Sequence, residues 1–242
     1  MNKGYVAIII SIIISLALVV STLTLSDAIK SINKDTTIAV TGSAQEDIKS
    51  DYAVWTGSFG SRAVIQKDAY TAIIANKEVV LDFIKSLNVK EDEIEFSAIN
   101  TNLVYKRDYN GNYTNELEGY DLYQTVTIKS PDVTLVDNVS KQSTDLIAQG
   151  INFTSNPAQF YCKDLSAAKI RMVGKATADC KERANQIVSN AGGKLGGILS
   201  SKTGVFQITP QNSTEISDYG INDTSSINKQ ITAVVKSTFS VN

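Results

Sequence analysis

The chain has 242 residues with 23 basic and 25 acidic side chains, a net charge of −2, 20% charged and 43% apolar residues, and no histidine. The charge balance leaves no basic footprint for nucleic acid. The missing histidine excludes Ser-His-Asp and Cys-His hydrolases and HExxH metalloproteases, and removes the commonest zinc ligand.

After residues 1–4, which carry Lys3, residues Tyr5 to Leu25 (YVAIIISIIISLALVVSTLTL) contain no ionisable charge apart from the tyrosine hydroxyl. At about 1.5 Å per residue this run predicts a helix roughly 31 Å long, enough to cross a bilayer. The basic N-terminus places residues 1–4 in the cytoplasm and the rest of the chain outside, as a single-pass signal anchor. A cleaved signal peptide ending near Ser26-Asp27-Ala28 is the alternative. The run exceeds the usual signal core of about 7 to 15 residues, which favours the anchor. Either reading puts the domain outside the cytoplasm, periplasmic or extracellular.

Residues 26–36 read as a polar stalk, and folding is expected over 37–242. Alternation predicts strands at Thr37–Thr41 and Tyr52–Phe59, separated by the polar Gly42–Ser50 stretch. Apolar spacing from Lys67 to Leu87 predicts an amphipathic helix, interrupted by Asn76, which needs a partner at its edge or on a neighbouring strand. Ile94–Tyr105 and Gly119–Lys129 read as strands joined through Tyr109-Asn110-Gly111-Asn112 as a hairpin. Asp108, Asn110 and Asn112 mimic the start of a calcium loop. The glycine is misplaced, however, and position twelve is Gly119, so a simple turn is the better reading.

Pro131-Asp132 opens a second helix that Gly150 stops, and Ile151–Tyr161 returns to strand. A long helix over Asp164–Ala191 carries a stripe rich in small residues, including Ala176, Cys180 and Ala184, and Gly192-Gly193 caps it. Cys162 and Cys180, read on one helix, stand about 27 Å apart and cannot bridge. Cys180 reads as a small core residue, whereas Cys162 sits at a helix start, where reactivity is the alternative reading. Leu195–Thr209 and Ile227–Val241 are the last strands, around a polar flexible loop at Pro210–Ser226. The order β-β-α-β-β-α-β-α-β-β, after one transmembrane helix, predicts an α+β fold with mixed and antiparallel sheets packed by amphipathic helices.

Several short motifs in this order resemble the SIMPL-domain family of exported bacterial proteins, a group that includes YggE-like proteins and a Brucella periplasmic immunogen. They are IAVTGSA at Ile38–Ala44, DYAV at Asp51–Val54, Asn76, EDEI at Glu91–Ile94, and LEGYD at Leu117–Asp121 running into TVTI at Thr125–Ile128. The last are KERA at Lys181–Ala184 and AGGKLG at Ala191–Gly196. The resemblance implies an exported, non-enzymatic domain that forms ring-like or channel-like homo-oligomers, with an association to oxidative or envelope stress.

No catalytic, cofactor or metal residues are assigned, and no acid, base and nucleophile set stands out. Asp108, Glu116, Glu118 and Asp121 form a carboxylate group in the manner of a glycosidase, but solvated loop acids explain them better. The candidate interaction surface is Tyr105, Tyr109, Tyr113, Tyr120 and Tyr123, with cross-strand packing as the competing account. The expected partners are the bilayer, through residues 5–25, and further copies of the chain, with no nucleic acid. The alternative function is a surface ligand-binding or stress-sensing module built on that tyrosine-rich hairpin. Five Asn-x-Ser/Thr sequons, at Asn112, Asn138, Asn152, Asn212 and Asn222, read as a consequence of composition.

Overall fold

The fold was obtained as a computed structural model that describes the backbone of residues 3–32 and 36–242 and the side chains of 11–26 and 36–242. The elements are α1 (Lys3–Ile32), β1 (Thr37–Lys49), β2 (Tyr52–Ala63), α2 (Gln66–Ser86), β3 (Ile94–Phe96), β4 (Asn100–Arg107) and β5 (Tyr113–Ser130). They continue with α3 (Val133–Gln142), β6 (Asn152–Ser155), β7 (Gln159–Tyr161), α4 (Leu165–Asn190) and β8 (Leu195–Thr203). The last are β9 (Gln207–Pro210), β10 (Ile221–Asn222) and β11 (Asn228–Val241). The protein is thus α+β with mixed and antiparallel sheets: β9 and β10 pair parallel, whereas β11 pairs antiparallel with β8 and β9, and β2 and β5 pair antiparallel with each other and with their other neighbours.

Helix α1 covers the apolar run and continues through part of the expected stalk. The stalk residues 33–35 and the side chains of Tyr5–Ile10 lie outside the described residues. Among the described residues, no helix is long and apolar enough to cross a membrane.

The chain divides into two compact units. The first comprises 1–44, 170–205 and 233–242, and the second 45–169 and 206–232.

In the second unit β2 and β5 pair antiparallel from Ala53 opposite Ser130 to Ala63 opposite Tyr120. β3 and β4 lie along the other edge of β5, and β6 and β7 along the other edge of β2. Period-2 alternation buries Ala53, Trp55 and Phe59 of β2 and Leu122, Val126 and Ile128 of β5 on one face. That face is covered by α2, through Ala69, Ile73, Val80 and Ile84, and by α3, through Val133, Val136 and Val139. Asp132 caps α3 by accepting a hydrogen bond from the Leu135 amide at 2.9 Å. Asn76 donates to the Gly60 carbonyl at 3.2 Å, which is the neighbouring-strand bond its position required.

In the first unit, 37–44 of β1, β8 and the 233–241 part of β11 supply the strands. The second half of β11 pairs antiparallel with β8, Val235 opposite Thr203 and Ser237 opposite Ser201. Met172, Ala176, Cys180, Ala184 and Val188 recur every four residues on α4 and are buried, as are Val40, Val235 and Phe239. The small stripe allows close packing. A Cβ on Gly42 would stand 2.5 Å from both the Ala176 carbonyl oxygen and the Cys180 amide nitrogen. Gly192, at φ +81°, ends α4 while the Gly193 amide donates to the Val188 carbonyl.

Six expectations need correction. β1 continues to Lys49, because ladder hydrogen bonds rather than burial sustain its polar half. Ile94–Tyr105 is two strands, broken at 97–99, and Ile151–Tyr161 is likewise two. Leu195–Thr209 divides into β8 and β9. α3 ends at Gln142 and passes into a 3-10 turn at Ser143–Leu146 before Gly150. Cys162 precedes α4 rather than lying on it, and both cysteines are free.

Candidate functional site

The β4–β5 hairpin starts against the core of the second unit, and its end extends past the buried residues. At its base Asn100 lies opposite Tyr123 and Val104 opposite Gly119, and the register then shifts twice before Arg107 meets Tyr113. Gly119 marks the exit, since a Cβ there would stand 2.6 Å from the Ala63 carbonyl oxygen. Beyond it, Tyr105 to Arg107 and Asn115 to Glu118 are exposed on both faces. An arm without a buried face has no reason to alternate, which is why β5 reads from sequence as starting at Gly119 rather than Tyr113.

The tip is a closed turn. Asp108 accepts hydrogen bonds from the Asn110 and Asn112 amides, each at 2.9 Å, and Gly111 takes φ +85°. The Asn112 amide, with help from the Asn112 side chain and the Asn110 amide, holds the Asp108 carboxyl below its ordinary range. The Asp108 carboxylate that a calcium reading would assign to an ion therefore serves the loop itself. Among the described residues no three His, Cys, Asp or Glu side chains gather as a metal set.

Tyr109 at the tip is 97% exposed and Tyr113 68%. Arg107 lies against the Tyr113 ring and donates to its hydroxyl at 2.6 Å. Tyr105 and Tyr123 are partly exposed, while Tyr120 packs against the core. Strand alternation puts Tyr120 and Tyr123 on opposite faces of β5. The hairpin thus gathers Tyr109 and Tyr113 near its end and gives Tyr120 to the interior. Of the acids, Glu116 pairs with Lys106 at 2.9 Å and Glu118 with Arg62 at 3.0 Å. The bond from Lys106 holds the Glu116 carboxyl below its ordinary range.

Sequence reasoning missed an open groove of about 430 Å³ beside the hairpin base, lined by Gln66, Lys67, Tyr70, Ile99, Thr101 and Leu122. Val64, Ile65 and Leu103, exposed by 76%, 59% and 52%, extend the apolar surface around it. The N-cap of α2 is Ile65, whose side chain cannot cap the first turn. The buried Gln124 donates to the Ser97 carbonyl through Nε2, but its Oε1 has no partner. The only sequence signal was the unusual Val64-Ile65 pair directly before a helix.

Elsewhere in this unit Lys229 is buried. Its ammonium donates to the carbonyls of Phe160, at 2.6 Å, and of Asp223. Burial pulls its pKa down, against the opposing influence of Asp223 and Cys162. The segment expected to be a flexible loop, Pro210–Ser226, contains β10 and is tied down by these bonds and by Gln207, whose side chain donates to the Ser217 carbonyl at 2.6 Å.

In α1 the hydroxyls of Ser15, Thr22 and Thr24 donate to the carbonyls of Ser11, Leu18 and Val20 one turn back, at 2.8 to 3.1 Å. Their polar atoms are satisfied within the helix.

No curated protein matches the chain. The SIMPL family, described as proteins of unknown function (DUF541), matches residues 38–239. With the match running over most of the chain, the protein belongs to the SIMPL family.

Proposed function

We propose that the protein is a membrane-anchored, extracytoplasmic SIMPL domain that works without catalysis, as a self-associating structural or interaction protein in envelope or oxidative-stress protection. The observation that carries the reading is the β4–β5 arm, whose end exposes both faces along with Tyr109 and Tyr113. An isolated two-stranded ribbon is marginal in water, and a large aromatic residue at its tip gains most when a second surface covers it. Further copies of the chain, held at the same membrane, supply that surface at high local concentration.

Anchoring rests on the Tyr5–Leu25 run, on its helical backbone, and on the hydroxyls of Ser15, Thr22 and Thr24, which are bonded within the helix and so need no partner from hydrocarbon. Lys3 before the run orients the N-terminus to the cytoplasm. Tyr109 and Tyr113 also favour a second reading, a ligand-binding or stress-sensing arm.

Size determination of the full-length protein in detergent tests the assembly. A homo-oligomer that dissociates when Tyr109 and Tyr113 are both replaced by Ser supports it. A monomer throughout the micromolar range refutes it.

A further inference from the structure

The groove at the hairpin base combines two features that the self-association reading does not use. Among the described strands β4 pairs with β5 alone, so its other edge is free, and every second residue there turns its N–H and C=O outward. Next to that strand, over its helix-side face, the first turns of α2 wall the groove. On β4, Thr101 and Leu103 stand opposite Leu122 and Tyr120, the inward-facing residues of β5, so they and the lining residue Ile99 face the helix side. On α2, Gln66, Lys67 and Tyr70 face the strand side.

We propose that this channel takes an extended peptide segment of a partner protein, added as a further strand on the free edge of β4. The main chain of such a segment meets the unused backbone groups of β4. Its alternate side chains on the helix side, two residues apart, line up beside Ile99, Thr101 and Leu103 at the mouth of the groove, on the side that Tyr70 overlooks.

Apolar side chains fit there, because the floor is Leu122 and the rims are Val64, Ile65 and Leu103. The charge facing the channel is positive. Lys67 lines it, and Asp68 lies about 100° further around the helix, away from the middle of the lining face. The α2 first turn, with no side-chain cap at Ile65, adds the positive end of a helix. The recognised segment is therefore apolar at alternate positions with an acidic side chain or carboxylate beside them. The exposed Leu103, Val64 and Ile65 are the surface such a strand would remove from water.

The test pans the full-length protein, in detergent, against a random dodecapeptide library, and measures enriched peptides by fluorescence anisotropy. The expected result is enrichment of peptides with apolar residues at i and i+2 and an adjacent Asp or Glu. Leu103→Arg and Tyr70→Glu, at side chains 52% exposed and so compatible with folding, should each weaken binding about tenfold or more. Unchanged thermal unfolding of both variants keeps that loss attributable to the groove. Lys67→Glu should shift the preference from acidic to basic peptides. A proline at the centre of an enriched peptide should abolish binding, because it removes a ladder donor.

Absence of enrichment overturns the proposal, as do peptides indifferent to Leu103→Arg and Tyr70→Glu. If those two variants instead convert an oligomer to monomer, the groove belongs to a second copy and the partner-peptide reading fails. Loss of assembly through Tyr109 and Tyr113 alone leaves peptide binding intact, so the two readings fail separately.

Discussion

The Lys229 ammonium donates to the Phe160 carbonyl at 2.6 Å, although the lysine is only 2% exposed. A buried cation of this kind costs desolvation, and it is retained where backbone carbonyls would otherwise be orphaned. Replacing it with Met removes the charge but leaves the Phe160 and Asp223 carbonyls without that donor. Lys229→Met should cost about 2 to 3 kcal/mol in chemical unfolding and expose the 211–226 segment to protease.

The same lysine gives a pH dependence with a definite sign. Its folded pKa lies below the ordinary 10.5, so between the two values the unfolded chain binds more protons than the folded one. Stability should therefore rise with pH across that window, and the rise should vanish in Lys229→Met. Urea titrations of both proteins at several alkaline pH values check this.

Gly42→Ala pushes a methyl into the Ala176 carbonyl and the Cys180 amide, both backbone atoms that can move only if α4 moves. The loss should be about 1 to 3 kcal/mol in chemical unfolding. Gly174→Ala, in open space on the same helix, should be neutral or slightly stabilising.

At the hairpin tip, the Asp108 carboxyl is held below its ordinary 3.8, so its support of the turn is complete above that value and fades as pH falls through the folded pKa. The Asn110 and Asn112 amide resonances should titrate together in an NMR series, with a midpoint below 3.8. A midpoint at or above the ordinary value would remove the turn from the account.

The tyrosines separate into two classes. Tyr109→Ala and Tyr113→Ala should change stability by no more than about 0.5 kcal/mol. Tyr120→Ala, cut from a side chain packed on the core, should cost about 2 to 4 kcal/mol. Unfolding curves of the three variants distinguish an arm that binds from an arm that merely packs.

What the sequence displays depends on whether one face of an element is buried. β2 and the core face of α2 are legible because Trp55, Phe59, Ile73 and Ile84 impose a period on their neighbours. The 42–49 half of β1 and the outer half of β5 carry no such imprint, since ladder hydrogen bonds rather than a buried apolar face sustain them. Polar composition made Pro210–Ser226 look like a flexible loop, but Gln207 and Lys229, flanking it, and Asp223, within it, organise it through hydrogen bonds that composition does not display. The groove was hidden for a related reason. It exists only where a helix turn at Gln66–Tyr70 and an edge strand at Ile99–Thr101 meet across about thirty residues.

The first unit is collected from three stretches of chain and the second from two, with β11 contributing to both. Synthesis delivers residues strictly in order, so neither unit can close before that strand has been made. Through most of its birth the polypeptide is an unfinished polymer, which keeps it threadable. A premature stop anywhere upstream of Asn228 would remove a strand from both units at once. Damage at the end of the message should therefore read out as loss of the whole domain, never as a trimmed tail.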